Sequence, residues 1–165
     1  IFMTNAFAQA FSLLKMPIVP GSLRETDEGF NADFTDPETN EQLLMVATPD
    51  KMTDGLGGQM RTTIEDPEWQ HMNGMERAIQ VITDKPTSNH LTGKTRRGPF
   101  WPHSSFTSPE YQRRGYATAV YDMVSAILDR KGGHRLAPAN QLSDAARGLW
   151  GGKGMDDTWP VRDDL

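Results

Sequence analysis

Six consecutive residues carry the clearest chemical signal in this chain: Gln112-Arg113-Arg114-Gly115-Tyr116-Ala117. They fall between an extended, β-like run from Pro99 to Thr107 and the best amphipathic helical pattern in the sequence, Tyr116 to Lys131. In that helix Ala117, Val120, Val124, Ile127 and Leu128 form one apolar stripe. A strand, a glycine-bearing turn and a helix together suit phosphate binding. The first turn of a helix holds N–H groups with no intrahelical acceptor, and the macrodipole adds partial positive charge there. Gly115 lets a backbone approach its ligand with no Cβ in the way, and Ala117 is small enough to keep the passage open. Gln112, Arg113 and Arg114 supply donors and charge.

The charge distribution points to the same place. The net charge of −5 is spread unevenly. Residues 1–84 carry 5 Lys/Arg against 14 Asp/Glu, residues 85–135 carry 9 against 3, and residues 136–165 carry 3 against 5. The basic block surrounds the six-residue turn. Its local field suits a polyanionic ligand such as a nucleotide or coenzyme A, although a solvated basic face gives the same count. The acidic remainder argues against nucleic acid, whose phosphate backbone it would repel. The chain has no cysteine, which excludes disulfides, thiolate metal sites and a cysteine nucleophile, and which fits a cytoplasmic protein. His71, His90, His103 and His134 show no metal-ligand spacing. No apolar run approaches 20 residues, so no membrane helix is expected, and Ile1–Ala10 lacks the basic start and cleavage site of a signal peptide.

The elements that must hold the turn are readable in outline. At 165 residues the chain reads as one domain, 25–165, preceded by an N-terminal arm, 1–24. In the arm Thr4 to Met16 predicts a short helix, with Phe7, Phe11 and Leu14 at helical spacing; Pro17 and Pro20 end it. Its phenylalanines either dock on the domain core or form a partner or dimer surface. Gly29 to Val46 predicts a β-hairpin turning at Asp36-Pro37-Glu38-Thr39-Asn40. Pro49 to Met60 is glycine-rich and reads as a connection. Arg61–Ile64 and Ala78–Ile82 are strand candidates, Lys85 to Gly98 reads as a polar loop, and Pro102 makes the first half of Pro99–Thr107 irregular or a sheet edge. His134 to Ala139 predicts a short strand. Ser143 caps a second helix that runs to Trp150, and the tail beyond it reads as short and polar.

The turn has the form Gln/Arg-x-x-Gly-x-Gly/Ala and resembles the pyrophosphate-binding signature of the GNAT family of N-acetyltransferases. Pro109-Glu110-Tyr111 ahead of it is similar to the Pro-Glu-Tyr that often leads into that signature. The helix behind it is similar to the family's third helix. Leu136 to Met155, with Asn140, Ala145-Ala146, Leu149-Trp150 and Gly154-Met155, resembles the family's next block. The likeness covers Ser105 to Met155, near a third of the chain. Leu142-Ser143-Asp144-Ala145 and Leu149-Trp150 also resemble the ending of small acetyltransferase-like proteins of bacteriophages.

The resemblance implies an α/β (α+β) fold, a mixed and mostly antiparallel twisted sheet flanked by helices and splayed at the acetyl-CoA site. It implies direct transfer: the amine of a small molecule or a protein attacks the thioester of acetyl-CoA in a ternary complex, while a base removes the ammonium proton. A backbone N–H of the splayed strand polarises the carbonyl. Carried over residue by residue, Phe106 and Thr107 lie along the pantetheine arm, Gln112 to Ala117 hold the pyrophosphate, and Asn140 follows the next strand. His103, upstream on the same strand, is a candidate base, since imidazole suits proton transfer near neutral pH, and Glu65 and Glu68 are alternatives. Tyr121 either donates a proton or packs. Where the family often has a Tyr that protonates the leaving thiolate, this chain has Trp150, whose indole N–H is no useful acid. That departure leaves open a catalytically weak or inactive acyl-CoA-binding or protein-interaction module.

Overall fold

Apolar residues at every second position build the platform on which everything else rests. In β2 (Gly29–Thr35) the side chains of Phe30, Ala32 and Phe34 are buried and alternate with half-exposed neighbours. β3 (Gln42–Pro49) pairs with it antiparallel and sets Ala47, Met45 and Leu43 opposite them. The same face continues through Met60, Thr62 and Ile64 of β4 (Gln59–Glu65) and Ala78, Gln80 and Ile82 of β5 (Glu76–Asn89). With β1 (Arg24–Thr26) before and β6 (Lys94–Thr107) after, the strands form one six-stranded sheet in sequence order, every pair antiparallel. Two helices follow, α1 (Tyr116–Arg130) and α2 (Asp144–Trp150), so the protein is α+β. The structure is a computed structural model and describes residues 17–49, 59–66, 76–89, 94–139, 143–151 and 158–165, with backbone alone over 84–99. The helix expected over Thr4–Met16 and most of the glycine-rich connection lie outside those residues.

α1 closes the core. Its buried side chains, among them Tyr116, Val120, Met123, Val124 and Ile127, pack with the sheet's apolar face into one cluster. Burial of each large one contributes about 1.5–3 kcal/mol. Lys131 caps the helix, and Gly133 with φ +70° turns the chain back, its N–H donating to the Asp129 carbonyl at 2.8 Å. In α2 the Ser143 hydroxyl accepts from the Ala146 N–H at 3.2 Å, the cap expected from sequence. Of the N-terminal arm, Ile18 is fully buried and bridges antiparallel to Phe34. Among the described residues, no helix is long and apolar enough to cross a membrane.

Two local expectations are corrected, and one is borne out. Lys85 to Gly98 reads as a loop, yet residues 85–89 and 94–98 extend β5 and β6 into a long hairpin, with Thr87 opposite Arg96 and Ser88 opposite Thr95. Polar residues on both strands leave no apolar alternation to reveal such an arm, whose ladder is held by backbone hydrogen bonds. Pro102 stands where the sequence placed it, at an irregular point of a strand on the sheet edge. β6 runs through it, and the register slips by one residue between Val81–Ser104 and Ile82–Pro102, so His103 is the extra residue of a bulge, a place where a strand tolerates proline. His134–Ala139 is not a strand. It makes a single parallel bridge, Leu136 to Phe100, with the Phe100 N–H donating to Arg135 and the Ala137 N–H to Phe100.

The tail is less polar in effect than it reads. Trp159 and Leu165 are buried. The Trp159 N–H donates to the Leu136 carbonyl at 2.8 Å, its indole N–H donates to Asp122 at 2.9 Å, and its ring stacks on Tyr121 at 4.6 Å. Arg130 donates to the Leu165 carbonyl at 2.6 Å. The tail thereby fastens α1 to the segment that follows it.

Candidate functional site

The turn before α1 is anchored from both sides. Pro109–Tyr111 forms one 3-10 turn that leads into it. The Gln112 side-chain amide donates back to the Thr107 carbonyl at 3.0 Å, tying the turn to the end of β6. Arg113 and Gly115 both take left-handed backbone angles, φ +63° and +83°. A Cβ built on Gly115 would lie 2.9 Å from Cγ of Pro17. Glycine is required there by the backbone angle and by the packed N-terminal proline, a different close approach from the one its place in the motif suggests.

Beneath the turn lies a charged network that sequence reading did not find. Arg77 on β5 is only 5% exposed. Its Nε donates to Asp66 at 2.9 Å, its Nη1 to Glu41 at 2.7 Å and to the Tyr116 hydroxyl at 3.1 Å, and its guanidinium lies over the Tyr111 ring, 4.4 Å from the centroid. The Tyr116 hydroxyl donates to Asp36 at 2.6 Å. Arg114 pairs with the same Asp36 at 3.4 Å and with Glu38 at 3.0 Å. Burial works against ionising Asp36, but Tyr116, the Glu38 and Thr39 N–H groups and Arg114 together hold its carboxyl below the ordinary range. Burial and the bond to Asp36 push the Tyr116 phenol up, with Arg77 opposing. For Arg77 burial disfavours charge, yet Glu41, Tyr116 and Asp66 outweigh it and the guanidinium is held charged. No sequence pattern announces such a network: its bonded pairs lie 11 to 80 residues apart, and only the folded register brings them together.

Against this anchored turn opens a groove of about 460 Å³. Ser105, Phe106 and Thr107 line it from β6, Gln112 to Thr118 contribute its mouth except for Arg114, and Ala145, Ala146 and Leu149 of α2 form the opposite wall. Tyr121 closes it from α1, its phenol raised above the ordinary value by burial, with the Trp150 indole opposing. Phe106 is 57% exposed, the one large apolar side chain so presented among the described residues. Arg113 is exposed and makes no ion pair with them.

The groove thus gathers Phe106, Thr107, Gln112, Arg113, Gly115, Tyr116 and Ala117 at one place. Arg114 points away into the Asp36–Glu38 pair, and the Tyr116 hydroxyl points down into the network. His103 is exposed on its bulge and is not part of the groove wall. Glu65 lines a separate cleft of about 480 Å³ beside the β1–β2 turn, with Asp27 and Glu28. Asn140 and Glu68 lie outside the described residues. Trp150 is 1% exposed and packs edge-on against Tyr121 and Trp159, a core role. Among the described residues, no three His, Cys, Asp or Glu cluster as metal ligands. No protein-family model matches the chain, and neither does any curated protein or solved structure.

Proposed function

We propose that this chain binds acetyl-CoA in the groove between β6, α1 and α2 and transfers its acetyl group to an amine, as an N-acetyltransferase of GNAT type. The observation that carries the reading is a single groove with an anion-binding turn at one end and apolar walls beyond it. At the turn, the first N–H groups of α1 have no intrahelical acceptor, and Arg113, on the same turn, is exposed and has no carboxylate partner among the described residues. Both suit a pyrophosphate. Beyond it, Phe106, Ala145, Ala146 and Leu149 suit an apolar arm. The 134–139 segment meets β6 at Phe100 alone, so β6 from Trp101 to Thr107 has no strand partner on that edge among the described residues. That open edge agrees with the splay expected around such a cofactor arm. When bound, the thioester supplies an activated acyl group.

A second reading is favoured by one observation. No carboxylate, imidazole or primary amine lines the groove among the described residues, and the Tyr111, Tyr116 and Tyr121 phenols are all held above their ordinary values. A protein that binds acyl-CoA without turning it over, acting as an interaction module, fits that wall equally well. Calorimetric titration with acetyl-CoA and CoA, followed by thiol release over a panel of amines and lysine-rich peptides, separates the two. Binding with release supports the enzyme, binding without release supports the module, and no binding of either ligand removes both.

A further inference from the structure

One wall of the groove hangs on a single buried side chain. Ala145, Ala146 and Leu149 of α2 line the groove, but of the residues in α2 only Trp150 is buried. At seven residues α2 is too short to be stable alone, so its place depends on what grips Trp150. Two rings do. Tyr121 of α1 meets the Trp150 indole edge-on at 5.6 Å, and Trp159 of the tail meets it edge-on at 5.2 Å. Tyr121 and Trp159 stack on one another at 4.6 Å, so the three rings close into a triad. Edge-on and stacked pairs of this kind stabilise beyond the area they bury.

Trp159 is the fixed member of the triad. Its backbone N–H donates to the Leu136 carbonyl at 2.8 Å, and its own carbonyl accepts from the buried Ser125 hydroxyl at 3.2 Å. Its indole N–H donates to Asp122 at 2.9 Å, and Arg162 pairs with the same carboxylate at 3.5 Å. A ring tied at its backbone and at its far tip presents a set surface to its neighbours. Trp159 stands behind the groove wall rather than in it. It reaches the groove through Tyr121, which lines it from α1, and through Trp150, the residue after Leu149. Both walls therefore rest on one residue of the tail.

We propose that Trp159 is a positioning residue for the groove, a latch by which the docked tail holds α2 at its distance from β6. The inference rests on the acyl-CoA reading, in which the pantetheine arm lies between β6 and α2 while the pyrophosphate meets the turn before α1. That turn is held by the Arg77, Tyr116 and Asp36 network, without the tail. Loss of the latch separates the two ends of the groove: the α2 wall is released and the anion-binding turn stays. Linkage makes the effect reciprocal, so a ligand that fills the space between the walls also tightens the tail.

The test uses the whole chain with Trp159→Leu, Trp159→Phe and, as a control, Met45→Ala, a large-to-small change in the core under β3. Hydrogen exchange at the Ala146, Arg147 and Gly151 amides is followed in the ligand-free proteins. Calorimetry with CoA, and with the adenosine bisphosphate portion of CoA alone, is run at a temperature where all four proteins are folded. In Trp159→Leu the α2 amides are expected to exchange roughly tenfold faster or more, CoA to weaken by a similar factor, and the adenosine bisphosphate to bind as it does to wild type. Trp159→Phe keeps a ring against Tyr121 and Trp150 and is expected to retain most of the CoA affinity, and Met45→Ala all of it. CoA added to wild type is expected to slow exchange at the Trp159 amide. Unchanged α2 exchange in Trp159→Leu overturns the latch, whatever the ligand. Faster exchange with unaltered CoA affinity, or an equal loss of affinity in Met45→Ala, overturns the coupling to the groove and leaves the acyl-CoA reading standing. Wild type that binds neither probe removes that reading and the coupling together.

Discussion

Arg77→Met removes the keystone beneath the motif turn and gives the most demanding test of the structure. Met keeps much of the side chain's length and apolar stem, so the change isolates the guanidinium. Three charge-assisted hydrogen bonds disappear, to Asp66, Glu41 and the Tyr116 hydroxyl, together with the contact over the Tyr111 ring. Glu41 is 44% exposed at its side chain and is rehydrated cheaply, but the Asp66 side chain is only 8% exposed and loses a short partner. Removing one partner of a buried pair costs about 3–5 kcal/mol where the remaining charge is left uncompensated, an upper range here because Asp66 keeps the Tyr111 hydroxyl as a donor at 3.4 Å. At about 2–4 °C per kcal/mol for a chain of this size, Tm should fall by roughly 6–20 °C. Urea unfolding followed by circular dichroism, with the slope compared between variants, provides the independent free energy. Arg77→Lys keeps the charge but cannot reach three acceptors from one ammonium, so it should recover less than half of the loss. A cost below about 1 kcal/mol for Arg77→Met, the scale of an exposed ion pair, would refute the buried network.

Tyr116→Phe removes only the hydroxyl that joins Arg77 to Asp36, and should cost about 1.5–3 kcal/mol in the same unfolding assay. Asp36 is held below its ordinary pKa, so its contribution is complete above the ordinary aspartate range and is lost as pH falls through the depressed value. Unfolding free energies measured from neutral pH into that acid range should decline in the wild type and decline less in Asp36→Asn; parallel declines would remove Asp36 from the explanation. Gly115→Ala should lose about 1–2 kcal/mol from its left-handed backbone, plus whatever the contact with Pro17 adds. The companion change Pro17→Ala should recover the steric part alone, which a double-mutant cycle measures.

How far the sequence revealed the fold depended on which face a residue turned. Phe30, Ala32 and Phe34 alternate because one side of β2 is buried, and that hairpin is legible down to its Asp36 turn. α1 and the Ser143 cap of α2 are legible for the same reason: a buried stripe and an unsatisfied first turn both demand particular residue types. Where a ladder carries polar residues on both sides, as over 86–89 and 94–97, the backbone pairs without leaving a pattern. The buried tail residues Trp159 and Leu165 are illegible because distant partners decide their roles, Leu136 and Asp122 for Trp159 and Arg130 for Leu165, while β1 is three exposed polar residues that show no alternation.

The candidate site was legible as a position and much less so as a division of labour. A six-residue pattern invites every one of its side chains to be read as a ligand contact, but the folded turn separates them. Arg114, with its side chain 22% exposed, reaches Asp36 and Glu38, while Arg113, one residue earlier, is exposed and has no carboxylate partner among the described residues. Neighbouring arginines of one motif should therefore fail in opposite ways. Arg114→Ala withdraws a donor from the fully buried Asp36 and should cost about 1–3 kcal/mol of stability. Arg113→Ala should leave stability within about 0.5 kcal/mol, as at an ordinary surface position, yet weaken CoA roughly tenfold and make its binding less sensitive to salt. Unfolding and calorimetry on the two variants give four numbers. Equal losses of affinity with equal stabilities would mean that both guanidinia face the ligand, and the Asp36–Glu38 pairing could not then be the resting place of Arg114.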